Sequence, residues 1–245
     1  MSIASEISRL QAAKADIKAA IEAKGVTVPA SAKLDTYDDY VAQIDGGGGA
    51  ILPYDAEVQY LEFSGAQYID LGVTVNQDTN FYVECSPTGG SAFKTVLSAR
   101  QSSSSKRFEV MFGTASNADV EIYFGYNNGS TTIYSGQSLN SQTVSFLKSS
   151  GTIAAYNASS YIGGAEKNRA AFTPPVPLRI GATNNNGSVA NYFIGKIYKL
   201  LLWDYGILTE YRLVKKNGVA AIYDATAGSF YYNSGSGSII AGPTK

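Results

Sequence analysis

The chain contains no histidine and a single cysteine, Cys85. Without histidine there is no Ser-His-Asp or Cys-His catalytic set and no histidine-bearing zinc site. One cysteine excludes an intramolecular disulfide and a multi-cysteine metal site. Charge is also scarce, at 16% of the 245 residues, against a usual quarter. Nineteen Lys+Arg nearly balance twenty Asp+Glu, for a net charge of -1. That balance supplies no basic patch for nucleic acid. No apolar run is long enough to span a membrane. Met1–Glu6 shows neither the basic nor the apolar region of a secretory signal. The expectation is a chain made in a bacterial cytoplasm, without membrane insertion and without a signal peptide.

What the chain does have is 18 tyrosines and 25 glycines, with much serine, threonine and asparagine. Four of the glycines, Gly46–Gly49, form a run that reads as a flexible linker over 46–54. Composition changes across it. Residues 1–45 hold five Lys/Arg and seven Asp/Glu and have no aromatic before Tyr37. Residues 55–245 are rich in Tyr, Phe, Gly, Ser and Asn.

The first segment reads as helix, turn, helix. Ile3, Leu10 and Ile17 form one column and Ile7 and Ile21 a second, with spacings alternating between four and three. A stripe this narrow is a coiled-coil seam, and isoleucine in both columns favours three or more strands. A lone helix of this length is marginal in water, so Ile3, Ile7, Leu10, Ile17 and Ile21 are expected to oligomerise the chain, as a homotrimer. Lys14 weakens that seam. The alternative is a surface helix packed on its own domain. Gly25 then stops the helix and Pro29 follows. Asp35 is placed to cap a second helix, with Tyr37, Val41 and Ile44 on one stripe.

The second segment reads as strands. Alternation marks 59–63, 68–71, 81–85, 143–147, 152–156, 177–180, 193–203, 220–223 and 229–232. Phe108–Phe112 and Val120–Phe124 form a hairpin joined by Gly113–Asp119. Turn signals at Asn128-Gly129, Asn186-Gly187, Asn217-Gly218 and Ala227-Gly228 separate the others. Only Leu208–Val214 hints at helix. Many short strands with frequent turns predict a mainly β, two-sheet sandwich with one core. Cys85, in an alternating strand, reads as a buried structural thiol.

Two stretches carry a resemblance. Val58–Gly72 (VQYLEFSGAQYIDLG) resembles the first hairpin of concanavalin A-like, laminin-G-like jelly rolls. Leu178–Gly181, Phe193–Tyr198, Leu202–Asp204, Gly218–Asp224 and Phe230–Gly237 resemble later parts of the same fold. This likeness covers most of 55–242 and concerns fold more than function. Ile17–Pro29, with Leu34, Tyr37 and Ile44, resembles a short module of phage tail and fibre proteins. It implies attachment to a virion through residues 1–45, and a fibre-like oligomer. Calcium is common in laminin-G-like folds, but Asp70, Asp78 and Asp204 stand apart in the sequence, so no metal and no cofactor is expected.

An enzyme reading needs carboxylates. Glycosidases place two of them ~5–10 Å apart, and Glu109 and Glu121 would share one face of the predicted hairpin, about one diagonal apart. The same pair on a solvated face, balanced by Lys106 and Arg107, needs no catalytic role. Concanavalin A-like hydrolases carry a Glu-x-Asp-x-x-Glu strand, whereas this chain has Asp119-Val120-Glu121 without the flanking acids. A binding reading needs aromatic faces and amides. Tyr126, Asn127 and Asn128 offer one such cluster, and Asn184, Asn185, Asn186 and Tyr192 a second. Asn-Gly loops are also plain turn chemistry. Trp203, among leucines, reads as core, and Gln101–Lys106 as a polar loop. The sequence therefore predicts a phage virion fibre protein, of tail or head, whose jelly roll binds a host-surface or mucosal glycan. The alternatives are a glycoside hydrolase or depolymerase and a purely structural decoration protein.

Overall fold

The computed structural model describes residues 3–44, 52–88, 93–116, 119–137, 139, 141–166, 170–204 and 206–245. Of residues 42, 114–116, 119–121, 123, 130, 134–137 and 204 it describes the backbone alone. The predicted linker glycines Gly46–Gly49 lie outside the described residues, as do Asn117 and Ala118 of the predicted connection. The chain divides into two units, Met1–Leu52 and Pro53–Lys245.

In the first unit, α1 (Ile3–Glu22) is built of strong helix formers. It closes with Gly25 N–H donating to the Glu22 carbonyl at 2.9 Å, and Gly25 itself is left-handed at φ 87°. That conformation is why glycine stands there. A 3₁₀ turn (Leu34–Thr36) leads into α2 (Tyr37–Ala42). Asp35 does not cap this helix: it lies within the 3₁₀ turn. Thr36 precedes α2, and its hydroxyl donates to the Lys33 carbonyl at 2.9 Å. Ile21, Val28, Ala32 and Tyr37 form a small core, with Val26, Tyr40 and Ile44 against it. Val41 is 52% exposed, so the apolar stripe of α2 is Tyr37, Tyr40 and Ile44 instead of the predicted set.

The predicted seam divides. Ile3, Ile7, Leu10 and Ile17 are open, at 82%, 50%, 54% and 43% exposure, but Ile21 is buried in its own chain's core. Lys14 and Lys18, on the same side, reach the returning segment and donate to the carbonyls of Ala32 and Val28. Lys14 thus clamps this unit internally, a role that seam spacing does not reveal.

The second unit contains nineteen strands among the described residues. The first half runs β1 (Ala56–Glu57), β2 (Leu61–Ser64), β3 (Ile69–Asp70), β4 (Asn80–Pro87), β5 (Lys94–Arg100), β6 (Arg107–Ser116), β7 (Asp119–Asn127), β8 (Gly129–Gln137) and β9 (Val144–Ser149). It continues with β10 (Thr152–Asn157), β11 (Ser160–Glu166), β12 (Arg179–Ile180), β13 (Thr183–Asn185), β14 (Ser188–Ala190) and β15 (Ile194–Asp204). The last are β16 (Ile207–Lys216), β17 (Val219–Asp224), β18 (Ser229–Tyr231) and β19 (Ile240–Ala241).

These build the predicted two-sheet sandwich. The larger sheet is ordered β11-β10-β9-β4-β15-β16-β17-β18, with β1 on β16, β2 on β15 and β19 on β2. The smaller is ordered β14-β13-β5-β6-β7-β8, with β12 between β3 and β5. The inner faces meet in one core that includes Phe63, Phe81, Phe108, Phe124, Phe146 and Phe193. Phe81 meets Phe108 edge-on at 5.6 Å and Phe124 at a tilt at 6.3 Å, joining the two sheets. Cys85 is buried in β4, where desolvation pushes its thiol pKa up. The stretch Leu208–Val214 is strand, not helix. β16 pairs with both β15 and β17, and Tyr211 and Leu213 alternate into the core while Glu210 stays out. Pairing on both edges satisfies this backbone, and β-branched and aromatic residues suit the pleat.

Candidate functional site

The outer face of the smaller sheet carries a buried polar cluster. Residues in register across β13, β5, β6 and β7 form one row, Asn185–Arg100–Arg107–Asn127. At ~4.8 Å per strand this row spans ~14 Å. Two residues further into each of β5, β6 and β7 lie Ser98, Glu109 and Gly125, in register, with Thr183 on β13 beside them. Alternation puts both rows on one face, opposite Phe108 and Val110.

Glu109 is fully buried, and all of its acceptor capacity is used. Ser98 Oγ and Thr183 Oγ1 each donate to Oε1 at 3.1 Å. Arg100 Nη1 and Arg107 Nη2 each donate to Oε2 at 2.9 Å. Thr183 Oγ1 also lies 2.7 Å from Thr95 Oγ1 and accepts from Asn191 Nδ2 at 3.3 Å. Gly125 makes room for this arrangement: a Cβ there would stand 2.8 Å from Arg107 Nε. Beside the cluster, Asp70 accepts two bonds from Arg179, at 2.7 and 3.2 Å, and the Arg179 guanidinium lies 4.3 Å from the Tyr68 ring centroid.

The close carboxylate pair that an enzyme reading would need at Glu109 and Glu121 does not form. Glu109 pairs with Gly125 and Glu121 with Gly113, so the two share a face but lie four residues apart along the hairpin. That is about 13 Å at the strand rise. The side chain of Glu121 lies outside the described residues. Glu109 belongs to an internal ion cluster in place of an open acid–base pair.

The proposed ligand residues separate into two groups. Tyr126 is core: it is buried, its hydroxyl donates to the Gln77 carbonyl at 2.9 Å, and its ring meets Phe172 at 4.8 Å. Asn184 is buried too, donating to the Pro177 carbonyl at 2.8 Å and accepting from Gly187 N–H at 3.1 Å. Asn127 and Asn128 form the β7–β8 turn, with Asn127 at φ 50°. Asn186, at φ 49°, and Gly187 form the β13–β14 turn, so the predicted loop is a hairpin. Tyr192 is half-buried, 6.4 Å from Tyr68. Asn127 and Asn185 therefore end one row, with Asn128 and Asn186 exposed beyond them. The residues between them, Arg100 and Arg107, were visible in the sequence only as charges flanking the serine loop 101–106. Lys94–Arg100 carries no clear alternation, and all seven of its residues are buried.

Trp203 is half-buried, not core. With Val73, Val75, Leu202, Ile207 and Tyr211 it lines a groove of about 340 Å³ that Thr74, Thr79 and Thr209 edge with hydroxyls. Among the described residues no three Cys, Asp or Glu side chains come together as a metal-ligand set, and no helix is long and apolar enough to cross a membrane.

The architecture defines the class: a two-sheet jelly-roll sandwich. The heptameric SAP-like pentraxin of Limulus polyphemus is similar over 78% of this chain and 97% of its own, at 14% identity and a TM-score of 0.52. A putative carbohydrate-binding protein of Bacteroides ovatus is similar over 78% of this chain and 61% of its own, at 14% identity and a TM-score of 0.53. At such identity the likeness is one of fold. The sequence matches no protein-family model and no curated protein.

Proposed function

We propose that the chain is a non-catalytic virion fibre protein of a phage, whose jelly roll binds a host-surface or mucosal glycan. The observation that carries the binding reading is the row Asn127–Arg107–Arg100–Asn185, which joins two asparagine turns on one face of one sheet. Amides and guanidiniums at the rim of a rigid sheet suit the hydroxyls of a sugar. The non-catalytic part is supported by the saturation of Glu109, which leaves that carboxylate no free lone pair for a reacting proton.

The virion part is supported by the open stripe Ile3, Ile7, Leu10 and Ile17 and by the resemblance of 17–44 to phage fibre modules. Three such helices bury one another's stripes, residues 1–45 dock on other virion proteins, and residues 46–54 link them to the sandwich. Several weak sites on one fibre bind with gained avidity. A glycan array probed with the full chain tests the binding reading: specific, sugar-competed spots are expected, and a blank array at high avidity overturns it. Mass measurement of the full chain tests the fibre reading: a trimer is expected, and a monomer at micromolar concentration overturns it.

A further inference from the structure

The cluster around Glu109 is unbalanced. Arg100 and Arg107 bring two positive charges against one negative, and the neighbouring Asp70–Arg179 pair is already neutral. Among the described residues the buried side-chain polar atoms without a partner are Arg100 Nε, Arg107 Nε and Asn185 Oδ1. All three lie in the same row of the same face. Elsewhere in this sandwich buried donors find acceptors: Lys148, for example, donates to the carbonyls of Thr79 and Gln77 at 2.7 and 3.2 Å. Orphaned buried donors and acceptors are rare in folded proteins because each carries an unrecovered desolvation cost. Three together, beside a surplus cation, describe a site whose partner is a separate molecule.

The geometry limits what that partner is. Arg100 holds Glu109 through Nη1, which leaves the edge that carries Nε–H turned elsewhere. That edge takes a carboxylate by two parallel hydrogen bonds. Arg107 holds Glu109 through Nη2 and lies over Gly125, which fixes its plane. Glu109 orients both guanidiniums and cannot itself satisfy them, because its two oxygens already accept four bonds. Asn185 Oδ1 needs a donor, which a sugar hydroxyl beside the acid group supplies.

We infer that this face recognises the carboxylate of an acidic sugar, with Arg100 and Arg107 on the carboxylate and Asn185 on an adjacent hydroxyl. The inference rests on the glycan-binding reading and narrows it to a ligand class. The test is calorimetric titration of the full chain with an oligogalacturonate and with a sialylated trisaccharide, each beside its methyl ester. At least one acid should bind tenfold or more tighter than its ester, and the difference should shrink as salt is raised. Arg100→Gln should abolish the preference. Because that change disturbs Glu109, Asn185→Asp provides a second reading: it keeps the side-chain volume, places a negative charge in the row, and should weaken acid binding at least tenfold with the melting temperature held. Equal binding of acid and ester, or an acid preference untouched by Asn185→Asp, overturns the inference and leaves glycan binding standing. Absence of binding to any sugar, on the array as well, overturns both.

Discussion

The two units of this chain place their charged and apolar groups in opposite ways. Among its described residues the helical unit fully buries no charge, though Lys14 and Lys18 are partly covered, and it leaves Ile3, Ile7, Leu10 and Ile17 in water while burying Ile21, Val28, Ala32 and Tyr37. The sandwich has fewer charges for its length and buries several of them, among the described residues Lys94, Arg100, Arg107, Glu109, Lys148, Arg179 and Asp224. Size explains the contrast. A unit of this length buries little surface, and the proposed association would cover its open stripe. A sandwich with a continuous aromatic core has stability in hand. It can carry an ion cluster whose desolvation cost can exceed its Coulomb gain.

If the units are independent, damage to one should be silent in the other. The largest effect belongs to the sandwich core. Phe81→Ala removes the ring that bridges Phe108 and Phe124 and should cost ~3–5 kcal/mol, read as a drop in the urea midpoint. The oligomeric mass in native buffer should hold; a change in mass would break the comparison. Next comes Glu109→Gln, which leaves two buried guanidiniums against a neutral amide and should cost about 3 kcal/mol. Replacing Arg100, Arg107 and Glu109 together by apolar residues of similar volume should recover most of that loss. Full recovery with loss of sugar binding would show that the cluster serves the ligand.

Much of this contrast was legible in the sequence, and the exceptions have physical causes. Helix, Gly25 stop and sandwich follow from local periodicity and turn chemistry, which are properties of neighbouring residues. The stretch Leu208–Val214 hinted at helix because apolar residues at 208, 211 and 214 fit a helical period, and only pairing with both neighbours decides otherwise. Asn184 and Tyr126 were misplaced because composition cannot say which face of a strand is the inner one. Arg100 and Arg107 stand at opposite ends of a serine loop in the sequence. Their meeting at Glu109, and that of Glu109 with Thr183 from 74 residues away, are products of register.

Smaller in energy, and directed at the helical unit, is Ile7→Asp with Leu10→Asp. Each apolar side chain buried in an association contributes ~1.5–3 kcal/mol, so the pair should convert the proposed trimer to monomer. Trp203 is the chain's one tryptophan, so its fluorescence reports the sandwich alone. The urea transition followed by that fluorescence should be unchanged.

The smallest effect sharpens the comparison most, because the same local cost is applied to both units. Gly25 and Gly218 are both left-handed, at φ 87° and 79°, and a Cβ at either meets nothing within 4 Å. Alanine at each therefore adds backbone strain of ~1–2 kcal/mol and no clash. In the sandwich, Gly218→Ala should lower the melting temperature by about 2–8 °C, at about 2–4 °C per kcal/mol for a domain of that size. In the helical unit the same strain is set against a much smaller unfolding entropy, so Gly25→Ala should shift the loss of helix ellipticity by more than twice as much. If the proposed association holds that unit together, the shift should also depend on protein concentration. Equal shifts at the two glycines, independent of concentration, would mean that the chain melts as one cooperative body and that the open isoleucine stripe contributes nothing to its stability.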